Sequence, residues 1–309
     1  MTKSCRIPTR KTSRMAAGFF CLLISPVWVY AQCPPKGQTE TGLQVLKQSE
    51  FLVPNDSNRQ TLALGLLPCL SSPNPALRDG IAFEALSFWL RKDLLSEATR
   101  LQLLDELQSK LSSSKPDKAG FTAPFAALVL SEVARTDRIK TWMTPEQRRH
   151  LVNKTAGYLS GIRDYRGFDN KQGWRHGVAH TSDLVMQLAL NPAVDKPQLD
   201  LLLDATTGQI GLSGHSYIHG EPERLLRAVL YIAKRDVHAE KEWQAWMDSL
   251  VKPAPLAKWD DAFLSSAGLA KRHNLQAFLL LMHANTLQSE DKNWKILNRL
   301  SLEAMKKLP

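Results

Sequence analysis

Read by its apolar and polar positions, the chain predicts helix after helix. Leu77, Ile81, Ala82, Ala85, Leu86 and Trp89 follow the 3.6-residue period behind Pro75, which takes the first-turn position that proline tolerates. Phe125, Leu128, Val129, Leu130 and Val133 make residues 121–134 the most apolar helix and the natural centre of a core. Thr144-Pro145-Glu146 gives an N-cap, a proline and an acid, so a helix is predicted from there to about residue 162. Further helices are predicted over 41–51, 61–70, 96–111, 197–207, 221–232, 238–250, 259–285 and 289–307. No alternating run lies between hairpin turns, so no strand is predicted. The expected fold is all-α: an irregular antiparallel helical-hairpin array of the HEAT/ARM kind, with an α/α toroid as the alternative.

One stretch breaks this amphipathic routine. Residues 164–183 gather Asp164, Arg166, Asp169, Trp174, His176, His180 and Asp183 around Gly167 and Gly173. If the second half is helical, His176, His180 and Asp183 stand at i, i+4 and i+7, within about 60° of one another on the wheel. Gln187 continues that stripe, and Trp174, Val178, Val185 and Leu188 fall opposite it. The polar face is then built from groups able to hold a metal or move a proton.

Composition adds size and compartment. With 309 residues, 43% hydrophobic and 23% charged, the chain can bury a substantial core. Residues 1–31 read as a signal peptide: Lys3, Arg6, Arg10, Lys11 and Arg14 precede an apolar run, with cleavage expected after Ala31. The expected mature chain, 32–309, is one helical domain with a C-terminal helical pair over 259–307, placed in the periplasm or outside the cell. Losing five cations and no acids lowers the formal charge from +10 to +5. With no basic stripe carrying interleaved aromatics, nucleic acid is not an expected partner. No later apolar run is long enough to span a membrane. Cys33 and Cys69 remain after cleavage, and in an exported chain they predict a disulfide contributing roughly 3–4 kcal/mol.

Several chemistries fit the central stretch. His176 and His180 can present imidazoles to one divalent ion such as zinc, with Asp183 a third ligand and a fourth from His215, His219, Glu221 or Glu223. Gly177 stands where a zinc protease would carry its glutamate. A metal-free carboxylate–imidazole pair could use Asp164 or Asp169. The structural alternative has Trp174 plugging the core, the histidines capping neighbouring carbonyls, and Asp164 with Arg166 forming a buried ion pair. Glu221 and Glu223 suit the first turn of a helix without any further role.

The segments Leu77-Arg78-Asp79-Gly80-Ile81-Ala82, residues 121–130, Asp164-Tyr165-Arg166-Gly167-Phe168, Gly173-Trp174-Arg175-His176-Gly177-Val178-Ala179-His180-Thr181-Ser182-Asp183 and Gly220-Glu221-Pro222-Glu223-Arg224-Leu225 resemble, in this order, a bacterial family known as domain of unknown function 2785. The resemblance covers about residues 45–255. It implies an all-helical fold and no particular reaction. Arg175 stands where members often have alanine, and Pro222 interrupts the Glu-x-x-Arg segment. The expected function is binding, with a small ligand or a partner's chain held in a cleft lined by Asp164, Arg166, His176, His180, Asp183 and Glu223. A zinc-type hydrolase using His176, His180 and Asp183, and a helical scaffold with no small-molecule site, are the alternatives.

Overall fold

Helix starts in this chain are written in short polar side chains. Thr39, Asn55, Asn74, Ser96, Thr144, Asp195, Ser265 and Asp291 each accept a backbone N–H from the first turn of the helix that follows. Thr144 with Gln147 and Asp195 with Gln198 close reciprocal capping boxes. The computed structural model describes residues 32–112 and 117–309. The expected signal peptide lies outside the described residues.

The α-helices in chain order are α1 (Glu40–Gln48), α2 (Asp56–Gly65), α3 (Pro75–Leu77), α4 (Glu84–Arg91), α5 (Glu97–Leu111), α6 (Thr122–Ile139), α7 (Pro145–Gly161), α8 (Gly177–Ala189), α9 (Lys196–Ile210), α10 (Glu221–Ala233), α11 (Glu240–Leu250), α12 (Ser266–Thr286) and α13 (Lys292–Met305). A π-helical turn, Arg78–Phe83, joins α3 to α4. The described residues are mostly helical.

Alternate helices pack in rows. α6 lies along α8, α8 along α10, and α10 along α12; α7 packs on α9, and α5 on both α6 and α7. α6 is central, as its composition predicted, and Phe125, Ala126, Ala127, Val129, Leu130 and Val133 are all buried. Removing a large side chain from such a core costs about 2–5 kcal/mol, which is how a single apolar stripe fixes the whole row.

The structure departs from the sequence reading in several places. Residues 168–174 form a small antiparallel hairpin, β1 (Phe168–Asp169) with β2 (Gly173–Trp174), with Phe168 opposite Trp174. Two-residue strands carry too little alternation to be read from sequence. α8 therefore begins at Gly177, so neither Trp174 nor His176 lies on it. The second predicted helix starts earlier, at Asp56, and its tail is a 3-10 turn, Leu67–Ser71. Trp259–Leu264 is likewise a 3-10 turn rather than the start of α12. The Cys33–Cys69 disulfide is formed, tying the segment before α1 to the turn after α2.

Candidate functional site

Three helices deliver the site, and like α4 and α11 they begin without the side-chain caps that the other eight helices use. Phe121, His176 and Gly220 occupy the N-cap positions of α6, α8 and α10 without a side-chain cap bond. His176 and Gly220 both adopt left-handed backbone, with φ of 58° and 86°. For a non-glycine residue that conformation costs of order 1–3 kcal/mol. At His176 it ends the hairpin, turns the chain into α8, and accompanies a ring lying flat against Trp174, with centroids 4.7 Å apart.

The hairpin is held from below by buried arginines. The Arg78 guanidinium is fully buried, donates to the carbonyls of Gln172 and Ser72 and to Asp79, and lies 4.0 Å from the Phe121 ring centre. Arg175 sits over the same ring at 4.5 Å and donates to the Ala119 carbonyl and Gln172 Oε1. Asp169 Oδ1 accepts the amides of Lys171 and Gln172 and so shapes the hairpin's turn. Gly173, at φ +72°, has the Arg78 guanidinium 3.1 Å from where a Cβ would stand. The backbone ladder continues past the hairpin, with Arg175 N–H donating to the Gly167 carbonyl and His176 N–H to that of Arg166.

On this frame the imidazoles of His176, His180 and His219 gather with Glu221. His176 Nε2 lies 3.7 Å, and His219 Nδ1 3.9 Å, from Glu221 Oε1. Both distances exceed hydrogen-bond range. Neither nitrogen has a partner, and neither does His180 Nδ1. Glu221 is 3% exposed, and its Oε2 accepts the His219 amide at 2.9 Å. His219 is seated by Gly167, where a Cβ would come within 2.2 Å of His219 Nδ1. His180 packs edge-on against Phe125 and stands 5.7 Å from the His176 ring centre. Trp174 is 39% and Phe168 49% exposed, their rings 5.0 Å apart at the mouth of the cluster.

Burial sets the charge state. It pushes His180 down to about 3, helped by the charges of His176 and Arg224. His176 is also held below the ordinary histidine value, by burial first, against the opposing pull of Glu221. At neutral pH both rings are neutral and can offer lone pairs.

The expected site residues distribute as follows. His176 and His180 stand in the cluster. Asp183 turns to α10, where its carboxylate pairs with Arg224; burial raises it above the usual carboxylate range despite that partner. Glu223 faces outward and pairs with Arg227. Asp164 and Arg166 pair with each other, roughly half exposed rather than buried, against Gly120 in the loop before α6. Burial alone would raise the Asp164 carboxyl, but its bonds from Arg166 outweigh this and hold it low. Asp164 instead lines a separate cavity of about 200 Å³ with Arg175, Pro124, Tyr158 and Gly177. The ion-binding trio of His176, His180 and Asp183 is not assembled, because Arg224 draws the aspartate away. Among the described residues no three His, Cys, Asp or Glu side chains are placed to hold a metal ion. Trp174 does not plug the core; it is a surface ring stacked on a buried one.

The sequence marked His219 only as a spare ligand, Glu221 as a spare ligand or a first-turn acid, and Gly167 as a loop glycine without a contact, and it gave Arg78 no role. Nothing local marks Glu221 over Glu223. The distinction comes from Gly220, whose left-handed turn aims the first residue of α10 inward.

Comparison with curated proteins and with solved structures finds no match. The family model described as protein of unknown function DUF2785 matches residues 107–283, which contain α6 to α10, the hairpin and every member of the histidine cluster. The chain belongs to that family.

Proposed function

We propose that this chain is an exported binding protein whose ligand docks where the hairpin meets the N-termini of α8 and α10. The charged leader in the sequence and the Cys33–Cys69 disulfide support export, since such bonds persist in oxidising compartments. The alternating rows of helices support a helical-hairpin array as the scaffold.

One observation carries the reading. Buried polar atoms in folded proteins are nearly always hydrogen-bonded, because an unpaired one costs about 1–3 kcal/mol. Here two buried ring nitrogens and a carboxylate oxygen converge without bonding one another, beside a half-exposed pair of aromatic rings. Such an arrangement is poor as a structural anchor and suited to a ligand that completes it.

A thermal-shift screen of a small-molecule fragment library against the mature protein, repeated on Trp174→Ala, tests this. Trp174 lies at the mouth and is no part of the core, so the variant folds. Fragments that raise the wild-type melting temperature are expected to lose that effect in the variant. Equal stabilisation of both proteins by every hit would place binding elsewhere and overturn the reading.

A further inference from the structure

The cluster has a stoichiometry as well as a position. His176 Nε2 and His219 Nδ1 both face Glu221 Oε1, at 3.7 and 3.9 Å, and neither has a hydrogen-bond partner among the described residues. His176 is 9% exposed, so its open nitrogen looks inward rather than into water. With the ring protons on His176 Nδ1 and His219 Nε2, each of the three atoms is an acceptor. A primary ammonium group carries three N–H donors and no acceptor.

Charge points the same way. Glu221 is buried, and among the described residues its one hydrogen bond comes from the His219 amide. The nearest guanidinium on the same helix, Arg224, is committed to Asp183. The N-terminal end of α10 offsets part of the carboxylate's charge, but a helix end is worth only about half a charge and leaves Oε1 without a donor. Trp174 and Phe168 then supply exposed aromatic surface, which attracts cations through the ring quadrupole and packs apolar groups.

Resting on the binding reading above, we infer that the ligand presents a primary ammonium group to Glu221, His176 and His219, with an apolar or aromatic body laid against Trp174 and Phe168. An alcohol offers one donor and no charge, a carboxylate adds a second negative charge beside Glu221, and a quaternary ammonium has charge without donors.

Four probes of one shape separate these cases: benzylammonium, benzyl alcohol, benzoate and benzyltrimethylammonium. Each is titrated into the mature disulfide-bonded protein at neutral pH, while the ring signals of His176 and His219 are followed by NMR. Benzylammonium is expected to saturate and shift both rings, with the other three weaker by about tenfold or more, as befits loss of a charge-assisted bond. Glu221→Gln is expected to weaken benzylammonium by a similar factor and to leave benzyl alcohol unchanged. If benzyl alcohol, benzoate or benzyltrimethylammonium shifts the same rings as tightly as benzylammonium, the ammonium assignment is overturned and the binding reading stands. If none of the four shifts either ring, while a fragment that needs Trp174 still stabilises the protein, the ammonium assignment alone fails. If no ligand of any kind depends on Trp174, both fail. The four-probe comparison in the wild-type protein does not depend on the variant folding.

Discussion

Two buried carboxylates in this molecule are treated in opposite ways. Asp137, near the C-terminal end of α6, is 1% exposed and accepts five hydrogen bonds: from the amides of Trp142 and Met143, twice from Arg148, and from Asn191 beyond α8. Glu221, at the N-terminal end of α10, is equally buried and accepts one. Burial alone would raise Asp137, but Arg148 and the two amides outweigh it and hold the group below the ordinary carboxylate value. A charge taken from water must be compensated by partners. At one end of the helical rows the protein supplies every partner. At the other it leaves two ring nitrogens and an oxygen facing one another across more than hydrogen-bond distance. The first is an anchor; the second is the proposed ligand site.

The largest effect that sharpens this contrast is expected at the anchor. Asp137→Ala leaves Arg148, itself buried, without its counter-charge and strips acceptors from Asn191 and two loop amides. Chemical denaturation is expected to register a loss of about 3–5 kcal/mol. A loss under about 1 kcal/mol would erase the difference between the two sites.

Acid should act next, and through the histidine cluster first. His180 sits far below the ordinary histidine value of 6.5, at about 3, and His176 is shifted the same way. Between those values the unfolded chain binds the proton that the folded chain refuses, so stability is complete above about pH 6.5 and falls as the pH drops. From pH 6.5 to 5 the expected loss from His180 is about 2 kcal/mol. Asp137, held low, contributes loss only at more acid pH. Denaturation curves across this window should slope for the wild type and flatten for His180→Leu; parallel profiles would remove burial of the imidazole as the cause.

Gly167→Ala perturbs one ring of the histidine cluster. Its Cβ would stand 2.2 Å from His219 Nδ1, and the ring can swing away because it lies near the surface. The expected cost is about 1–3 kcal/mol, with displaced His219 ring signals in NMR. Unmoved His219 signals would mean that the glycine does not seat the ring.

Much of the scaffold was legible. The period around α6, the proline and polar cap of α7, and the pairing of Cys33 with Cys69 all rest on local rules that tertiary contacts did not overrule. The site was legible only as a neighbourhood. His176 and His180 were visible as a spacing. The helical assumption that placed them on one stripe with Asp183 was incorrect, because His176 leaves the helix through a left-handed turn and Arg224 claims the aspartate. The hairpin was hidden because its strands are two residues long. Glu221 was hidden because Glu223 has the same chemistry two residues on, and the turn at Gly220 decides which faces inward. Asn191, beside Pro192 after α8, closes the Asp137 network through a side-chain amide that no local rule marks.

What separates the two carboxylates is whether Glu221 serves a ligand or the fold. Glu221→Gln keeps the shape and an oxygen for the His219 amide, removes the buried charge, and places an N–H₂ beside the two open ring nitrogens. Measured by denaturant unfolding at neutral pH without added ligand, the variant is expected to be as stable as the wild type or more stable, within about 1 kcal/mol. A loss of about 3 kcal/mol or more would mark Glu221 as an anchor like Asp137 and contradict the account.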